Sequence, residues 1–239
     1  MGWRRGGAGG ASGARLVGWI AVALALAAGP ASAGERSLEH HAVVLNGRLV
    51  GSAFLLEAGL AVTNRHVVRG LRPGAAVVLL ASGAGRRRAE GRLVAVSPRM
   101  DLALIAVPAG FVPPVAPGEV VLSAGLAVTA AGIDAGEGGA GERMALPGMV
   151  LDPSEEIAAF GPGLVVWLPG ARPGFSGGPL LDADGRLAGV VTALRPVEGA
   201  TPLAGAGGVG AGRPAVEAFA LRAGEVRAEV RRLLAAGRR

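Results

Sequence analysis

The sequence predicts an all-β fold of two small antiparallel barrels or sandwiches followed by one C-terminal α-helix. Three observations carry that expectation: two successive sets of short β-type runs, a proline-rich stretch between them, and a terminal segment with apolar residues at helical spacing. With 239 residues, 51% of them apolar, the chain can bury a sizeable core, and a disordered class is excluded.

The first set of runs is Ala42–Leu45, Arg48–Leu56, Leu60–Thr63, Ala75–Ala81, Arg88–Val96 and Leu102–Val107. Asn46-Gly47 between the first two is a strong hairpin signal, and Glu57-Ala58-Gly59 reads as the next turn. From Phe111 to Gly118 stand Pro113, Pro114 and Pro117, which lack the N–H groups that a central strand must donate, so this stretch reads as an interdomain connection. The second set is Leu126–Ala130, Arg143–Leu151, Leu164–Leu168, Pro179–Leu181, Leu187–Leu194 and Val216–Ala220. From Gly224 to Ala236, Val226, Val230, Leu233 and Leu234 form one face of a helix, with Arg227, Arg231 and Arg232 toward its C-terminal end, where cations favour the helix dipole. It reads as a helix docked on the second barrel. The expected division is therefore 34–112 for the first barrel, 113–118 for the connection, 119–221 for the second barrel and 222–239 for the helix.

Residues 1–33 have the three-part layout of a secretory signal peptide: Arg4, Arg5 and Arg15 at the start, an apolar stretch from Leu16 to Ala28, and the small-residue site Ala31-Ser32-Ala33 before Gly34. The apolar stretch is shorter than the roughly 20 residues a membrane helix needs. A periplasmic or secreted location is expected, with no stable membrane anchor left after cleavage. Without that segment the chain holds 21 Arg against 18 acids, a mildly basic +3. Arg86-Arg87-Arg88 has no aromatic platform or second basic run beside it and reads as a solvated strand or loop, so no nucleic-acid partner is expected. The Gly205–Gly212 stretch lacks the Gly-Lys-Ser/Thr of a phosphate loop and reads as a flexible surface loop. The absence of Cys closes off disulfides, zinc–thiolate sites and cysteine nucleophiles. Three His and scattered carboxylates lack metal-ligand spacing, so no metal and no cofactor is expected.

The chemistry concentrates at Gly174-Phe175-Ser176-Gly177-Gly178-Pro179, a serine flanked by glycines as a nucleophile on a tight turn requires. The same text fits the nucleophile elbow of α/β-hydrolases, but their chain order places His after Ser, and here His40, His41 and His66 all precede Ser176. A serine nucleophile needs a base, and His66, just after the run Leu60–Thr63, is the best placed; His40 and His41 lie only a few residues beyond the expected cleavage point. The third member is a carboxylate that sets the imidazole tautomer. Asp101 opens the apolar run Leu102–Val107, where burial beside a histidine is credible, whereas Asp134 sits in Gly-rich text and Asp152 precedes Pro153 in a turn.

The ordered motifs Thr63-Asn64-Arg65-His66-Val67-Val68, Asp101-Leu102-Ala103-Leu104 and Gly174-Phe175-Ser176-Gly177-Gly178-Pro179 resemble those of trypsin-like serine proteases. The resemblance is nearest to the bacterial HtrA (Deg) branch, whose protease domains begin with text like Gly51-Ser52-Ala53-Phe54, and it spans about Ala42 to Leu234. It implies a chymotrypsin-like pair of six-stranded β-barrels and a serine endopeptidase acting on polypeptides through an acyl-enzyme. In that reading Ser176 is the nucleophile, His66 the general base and Asp101 the orienting carboxylate, with the N–H groups of Gly174 and Ser176 as the oxyanion hole. The family's digestive members carry an Asp that pairs with a newly cut N-terminus; Phe175 stands there, so that switch is absent and nothing in the sequence replaces it. No PDZ domain is implied by a chain ending about sixty residues after Ser176. Arg65 stands where Ala is common, which puts a long cation near the cleft. Gly170 aligns with the Asp that selects basic side chains in trypsin-like enzymes. With Ala171, Thr192 and Ala193, it points to a pocket for small or medium apolar side chains. The rival expectation is a catalytically latent double-barrel binding module; an esterase would use the same three residues. The oligomeric state is not indicated.

Overall fold

Along Arg88–Val96, Ala89, Gly91 and Leu93 are buried while Arg88, Glu90, Arg92 and Val94 face solvent, the period-two alternation of a strand with one wet face. In the computed structural model, which describes residues 31–81, 87–135, 141–157, 159–197 and 216–237, this strand is one of twelve. The expectations for residues 1–30, for Arg86 and for the Gly205–Gly212 stretch fall outside the described residues. A short helix, α1 (Ala31–Glu39), spans the expected cleavage point and packs against the second barrel.

The first barrel comprises β1 (His41–Asn46), β2 (Leu49–Glu57), β3 (Leu60–Thr63), β4 (Ala76–Ala81), β5 (Arg88–Val96) and β6 (Ala103–Ala106), closed in the order β1-β2-β3-β6-β5-β4. The hairpin expected at Asn46-Gly47 joins β1 to β2, with Asn46 paired to Leu49 and Gly47 at φ +60°. The second barrel comprises β7 (Ala127–Ile133), β8 (Arg143–Ile157), β9 (Gly161–Trp167), β10 (Pro179–Leu181), β11 (Leu187–Pro196) and β12 (Val216–Arg222), closed as β10-β11-β12-β9-β8-β7. All pairings between these twelve strands are antiparallel, and closure leaves neither sheet with an open edge. Helix α2 (Ala223–Ala236) follows.

β7 runs on to Ile133 and β9 begins at Gly161, each three residues beyond its expected bound, and β8 departs furthest. β8 does not stop at Leu151 with Asp152 in a turn but continues to Ile157. Its register against β9 slips between Val150 and Asp152 and again between Asp152 and Glu155, so the missing N–H of Pro153 falls in an irregularity where no ladder bond is lost.

Each barrel has its own apolar interior. Val44, Leu55, Leu79, Leu93 and Ile105 fill the first, and Leu146, Val150, Leu164, Val166 and Phe175 belong to the second. A third cluster forms the seam. Phe54, Val62, Leu102 and Leu104 of the first barrel meet Leu181, Val190, Phe219 and Leu221 of the second, and α2 adds Val226, Val230 and Leu233. This explains why β2 and β3 read as continuous apolar runs: one face lines the barrel and the other the seam. Each of these fully buried Leu, Ile or Phe side chains contributes about 1.5 to 3 kcal/mol. Between β6 and β7 the proline-bearing connection lies across the seam. Val115 N–H donates to Leu55 O of one barrel (2.9 Å) and Ala116 N–H to Gly185 O of the other (3.1 Å).

Helix α2 also reaches the loop ahead of β6. Ser97 Oγ donates to Glu229 Oε1 (2.5 Å) and accepts the N–H groups of Arg99 (3.0 Å) and Met100 (3.1 Å); Glu229, 4% exposed, also accepts from Arg232 Nε (2.7 Å) and Nη2 (2.6 Å). The hydrogen bonds from Arg232, helped by that from Ser97 and opposed by burial, hold the Glu229 carboxyl below the usual carboxylate range. A depressed folded-state pKa stabilises fully above the unfolded value and is lost as pH falls through the folded one. Glu229→Gln is therefore expected to cost about 1 to 2 kcal/mol at neutral pH. The gap from wild type should close progressively as pH falls below the ordinary carboxylate range, read as unfolding midpoints across pH.

Candidate active site

His66 stands in the turns after β3, and Asp101 in the loop braced by Ser97 and α2. Asp101 is 2% exposed, and its two oxygens are both committed: Oδ1 accepts the His66 backbone N–H (2.9 Å) and Oδ2 lies 2.6 Å from His66 Nδ1. An ionised carboxylate can only accept, so Nδ1 carries its proton and Nε2 is left with a lone pair. The imidazole is about one-third exposed, enough to meet a substrate. Asn64, fully buried, donates through Nδ2 to Asp101 O (2.8 Å) and to Thr192 Oγ1 (3.0 Å), tying the Asp101 loop to β11 across the seam.

The loop from Gly174 to Pro179 is wound tightly. Phe175 N–H donates to Arg172 O (3.2 Å), Gly177 N–H to Val191 O (2.8 Å) and Gly178 N–H to Phe175 O (2.9 Å). The N–H groups of Gly174 and Ser176 meet no acceptor among the described residues. Ser176 Oγ donates to Thr192 O at 3.3 Å; among the described residues it makes no hydrogen bond to His66. Gly177 has φ +87°, and a Cβ there would lie 2.1 Å from Ser52 O and 2.4 Å from Thr63 Oγ1, because β2 and β3 press directly on the loop. Gly177→Ala is expected to destabilise the fold by about 3 kcal/mol or more, through backbone strain together with overpacking, which urea unfolding would read.

Phe175, where a charged residue would serve an activation switch, is fully buried in the second barrel's interior. Its ring lies over Gly132, where a Cβ would come within 2.4 Å. Arg65 donates to Ser97 O (3.3 Å) on the Asp101 loop. The four residues expected around the substrate pocket are all buried: Gly170, Ala171 among the second barrel's interior residues, Ala193 in the seam, and Thr192 with its hydroxyl donated to Val190 O (3.0 Å). Asp134 is ion-paired with Arg172, and Asp152 Oδ1 accepts the Ser154 N–H (2.9 Å).

Sequence reasoning missed three participants. Asn64 lay inside the quoted motif around His66, and Ser52 inside Gly51-Ser52-Ala53-Phe54. His41, set aside for its closeness to the N-terminus, is fully buried, with Nε2 2.8 Å from Ser52 Oγ. Burial, and then the charge of Arg143, push its pKa down to about 3, so the ring is neutral at any working pH.

Residues 51–190, which contain His66, Asp101 and Ser176, match the model of the trypsin-like peptidase domain. The chain belongs to the trypsin-like peptidase family. As a member it is a serine endopeptidase, and polypeptides are its substrates. Solved structures of the same fold include the protease Rv3671c from M. tuberculosis in its active form (24% identity, TM-score 0.63, 87% of this chain and 86% of that one). The serine endoprotease from Yersinia pestis is also similar (21%, 0.62, 85% and 65%), as is the MamO protease domain from Magnetospirillum magneticum (20%, 0.61, 81% and 97%). HtrA-type proteases are among these structural neighbours. A search of curated proteins gives no match. Among the described residues of this trypsin-like peptidase no helix is long and apolar enough to cross a membrane, and no group of His, Asp and Glu could hold a metal ion.

Proposed function

We propose that this trypsin-like peptidase cleaves peptide bonds in the periplasm or outside the cell through Ser176, His66 and Asp101. The observation that carries the proposal is the doubly bonded Asp101 carboxylate, which leaves His66 Nε2 as the proton acceptor. In this reading the Ser176 side chain turns from Thr192 O toward that nitrogen, an adjustment that substrate binding commonly completes. Nε2 takes the hydroxyl proton as Oγ attacks the scissile carbonyl, and the carbonyl oxygen settles between the N–H groups of Gly174 and Ser176. The imidazolium gives its proton to the leaving amine, forming the acyl-enzyme, and water then repeats the cycle with His66 again as base. Gly170 and Ala171 present no carboxylate, which supports a preference for Ala, Val, Leu or similar residues before the cleaved bond. A peptide-library digest with cuts mainly after Arg would overturn that preference.

The test is intact-mass analysis of the purified protein after a fluorophosphonate, beside Ser176→Ala and His66→Ala. One adduct in wild type, absent from both variants, is expected. A second reading, a latent binding module, is favoured by the Ser176 hydroxyl resting on Thr192 O; folded wild-type protein that takes up no label would select it.

A further inference from the structure

The loop that would carry the oxyanion hole is anchored by one residue of the opposite barrel. Ser52 of β2 grips it twice: its N–H donates to Ser176 O (2.8 Å) and its hydroxyl to Gly174 O (2.6 Å). These are the carbonyls of the same two residues whose N–H groups are unspent. Phe175 between them is buried among apolar neighbours, and among the described residues Ser52 is what bonds the two flanking carbonyls.

The hydroxyl's hydrogen bond has a determinate direction. Gly174 O can only accept, so the single Ser52 hydroxyl proton goes to it, and Ser52 Oγ must accept from His41 Nε2, 2.8 Å away. The neutral His41 ring is thereby in its Nε2–H form. All these groups are buried: His41 and Ser52 have no exposed surface. In such surroundings a chain of hydrogen bonds is stronger than the same bonds in water, and losing one link leaves the next group unsatisfied.

We propose that His41 and Ser52 are positioning residues, a buried relay from His41 Nε2–H through Ser52 Oγ–H to the Gly174 carbonyl that fixes the orientation in which Gly174 and Ser176 present their N–H groups to the substrate oxygen. The relay rests on the proposed catalytic reading, and it supplies a hold on the loop that the sequence does not reveal. Loss of the hydroxyl frees the Gly174 carbonyl to turn, and the adjoining N–H groups turn out of line with it. Substrate binding along the cleft does not involve that carbonyl, so the damage falls on the chemical step.

The experiment compares wild type, Ser52→Ala, His41→Leu, His41→Gln and Val44→Ala on one peptide substrate, with fluorophosphonate labelling and unfolding midpoints for each. Val44, fully buried on β1 beside the relay, reports the cost of stability alone. Ser52→Ala and His41→Leu are expected to lower kcat and the labelling rate by on the order of 10- to 100-fold with KM within about threefold, less than deletion of an oxyanion donor outright. His41→Gln, whose amide can still donate to Ser52 Oγ, should recover most of the loss, and Val44→Ala should lower the midpoint while kcat holds. The relay is overturned if Ser52→Ala keeps wild-type kcat, if Gln serves no better than Leu at position 41, or if Val44→Ala loses kcat in the same proportion to its midpoint. Wild-type protein that takes no label would instead overturn the catalytic reading, and the relay with it.

Discussion

Ser176→Ala is expected to lower kcat on a peptide substrate by on the order of 10⁶, and adding His66→Ala to lower it little further. The reason lies in the division of labour. In the proposed mechanism His66 removes the Ser176 proton, so once the hydroxyl is gone its basicity has nothing to act on. The Gly174 and Ser176 N–H groups survive in both variants, and the activity they leave above the uncatalysed rate should be the same in each. Steady-state kinetics on the two single variants and the double variant decide the point. Losses that multiply would mean that the two residues act independently, and the coupled scheme would fall.

Asp101→Asn is expected to cost on the order of 10⁴ in kcat while the protein stays folded. The side chain keeps its shape, and its remaining oxygen can still accept the His66 backbone N–H now held by Oδ1. The amide nitrogen then faces Nδ1 and donates to it. Nδ1 becomes the acceptor, the ring proton moves to Nε2, and the nitrogen that should take the serine proton already carries one. Unchanged unfolding midpoints beside the kinetic loss would separate this tautomer effect from damage to the loop that Ser97 and Glu229 brace. A loss below tenfold would show that Asp101 does not set the tautomer.

Much of the fold is legible because its strands obey local rules. The six first-barrel strands fall where short apolar or alternating runs end in Gly, Pro or Asn, and Asn46-Gly47 turns the chain as that pair commonly does. β8 outruns its local text for a physical reason: Pro153 ordinarily ends a central strand, but a register slip against β9 takes up the missing donor, and such a slip depends on the partner strand. Asp101 could be preferred over Asp134 and Asp152 because it adjoins a run apolar enough to be buried. Phe175 is legible as the loss of a charge, whereas its place over Gly132 is not, since that residue belongs to β7.

His40 and His41 mark the limit. Side by side in the sequence, they end in different surroundings: His40 is half-buried, with Nδ1 3.1 Å from Pro113 O, and His41 is sealed behind Ser52. The sequence by itself determined the two sets of strands, the terminal helix, and the order of His66, Asp101 and Ser176 that places the chain among the trypsin-like peptidases. Only the tertiary structure decided what holds those residues: Ser52 on Gly174 across 122 positions, Asn64 on Thr192 across 128, and Glu229 on Ser97 across 132. Strand periodicity and turn chemistry act between neighbours and leave their mark in local text. A hydrogen bond between two barrels depends on how two closed sheets meet, and residue identity alone does not encode that approach.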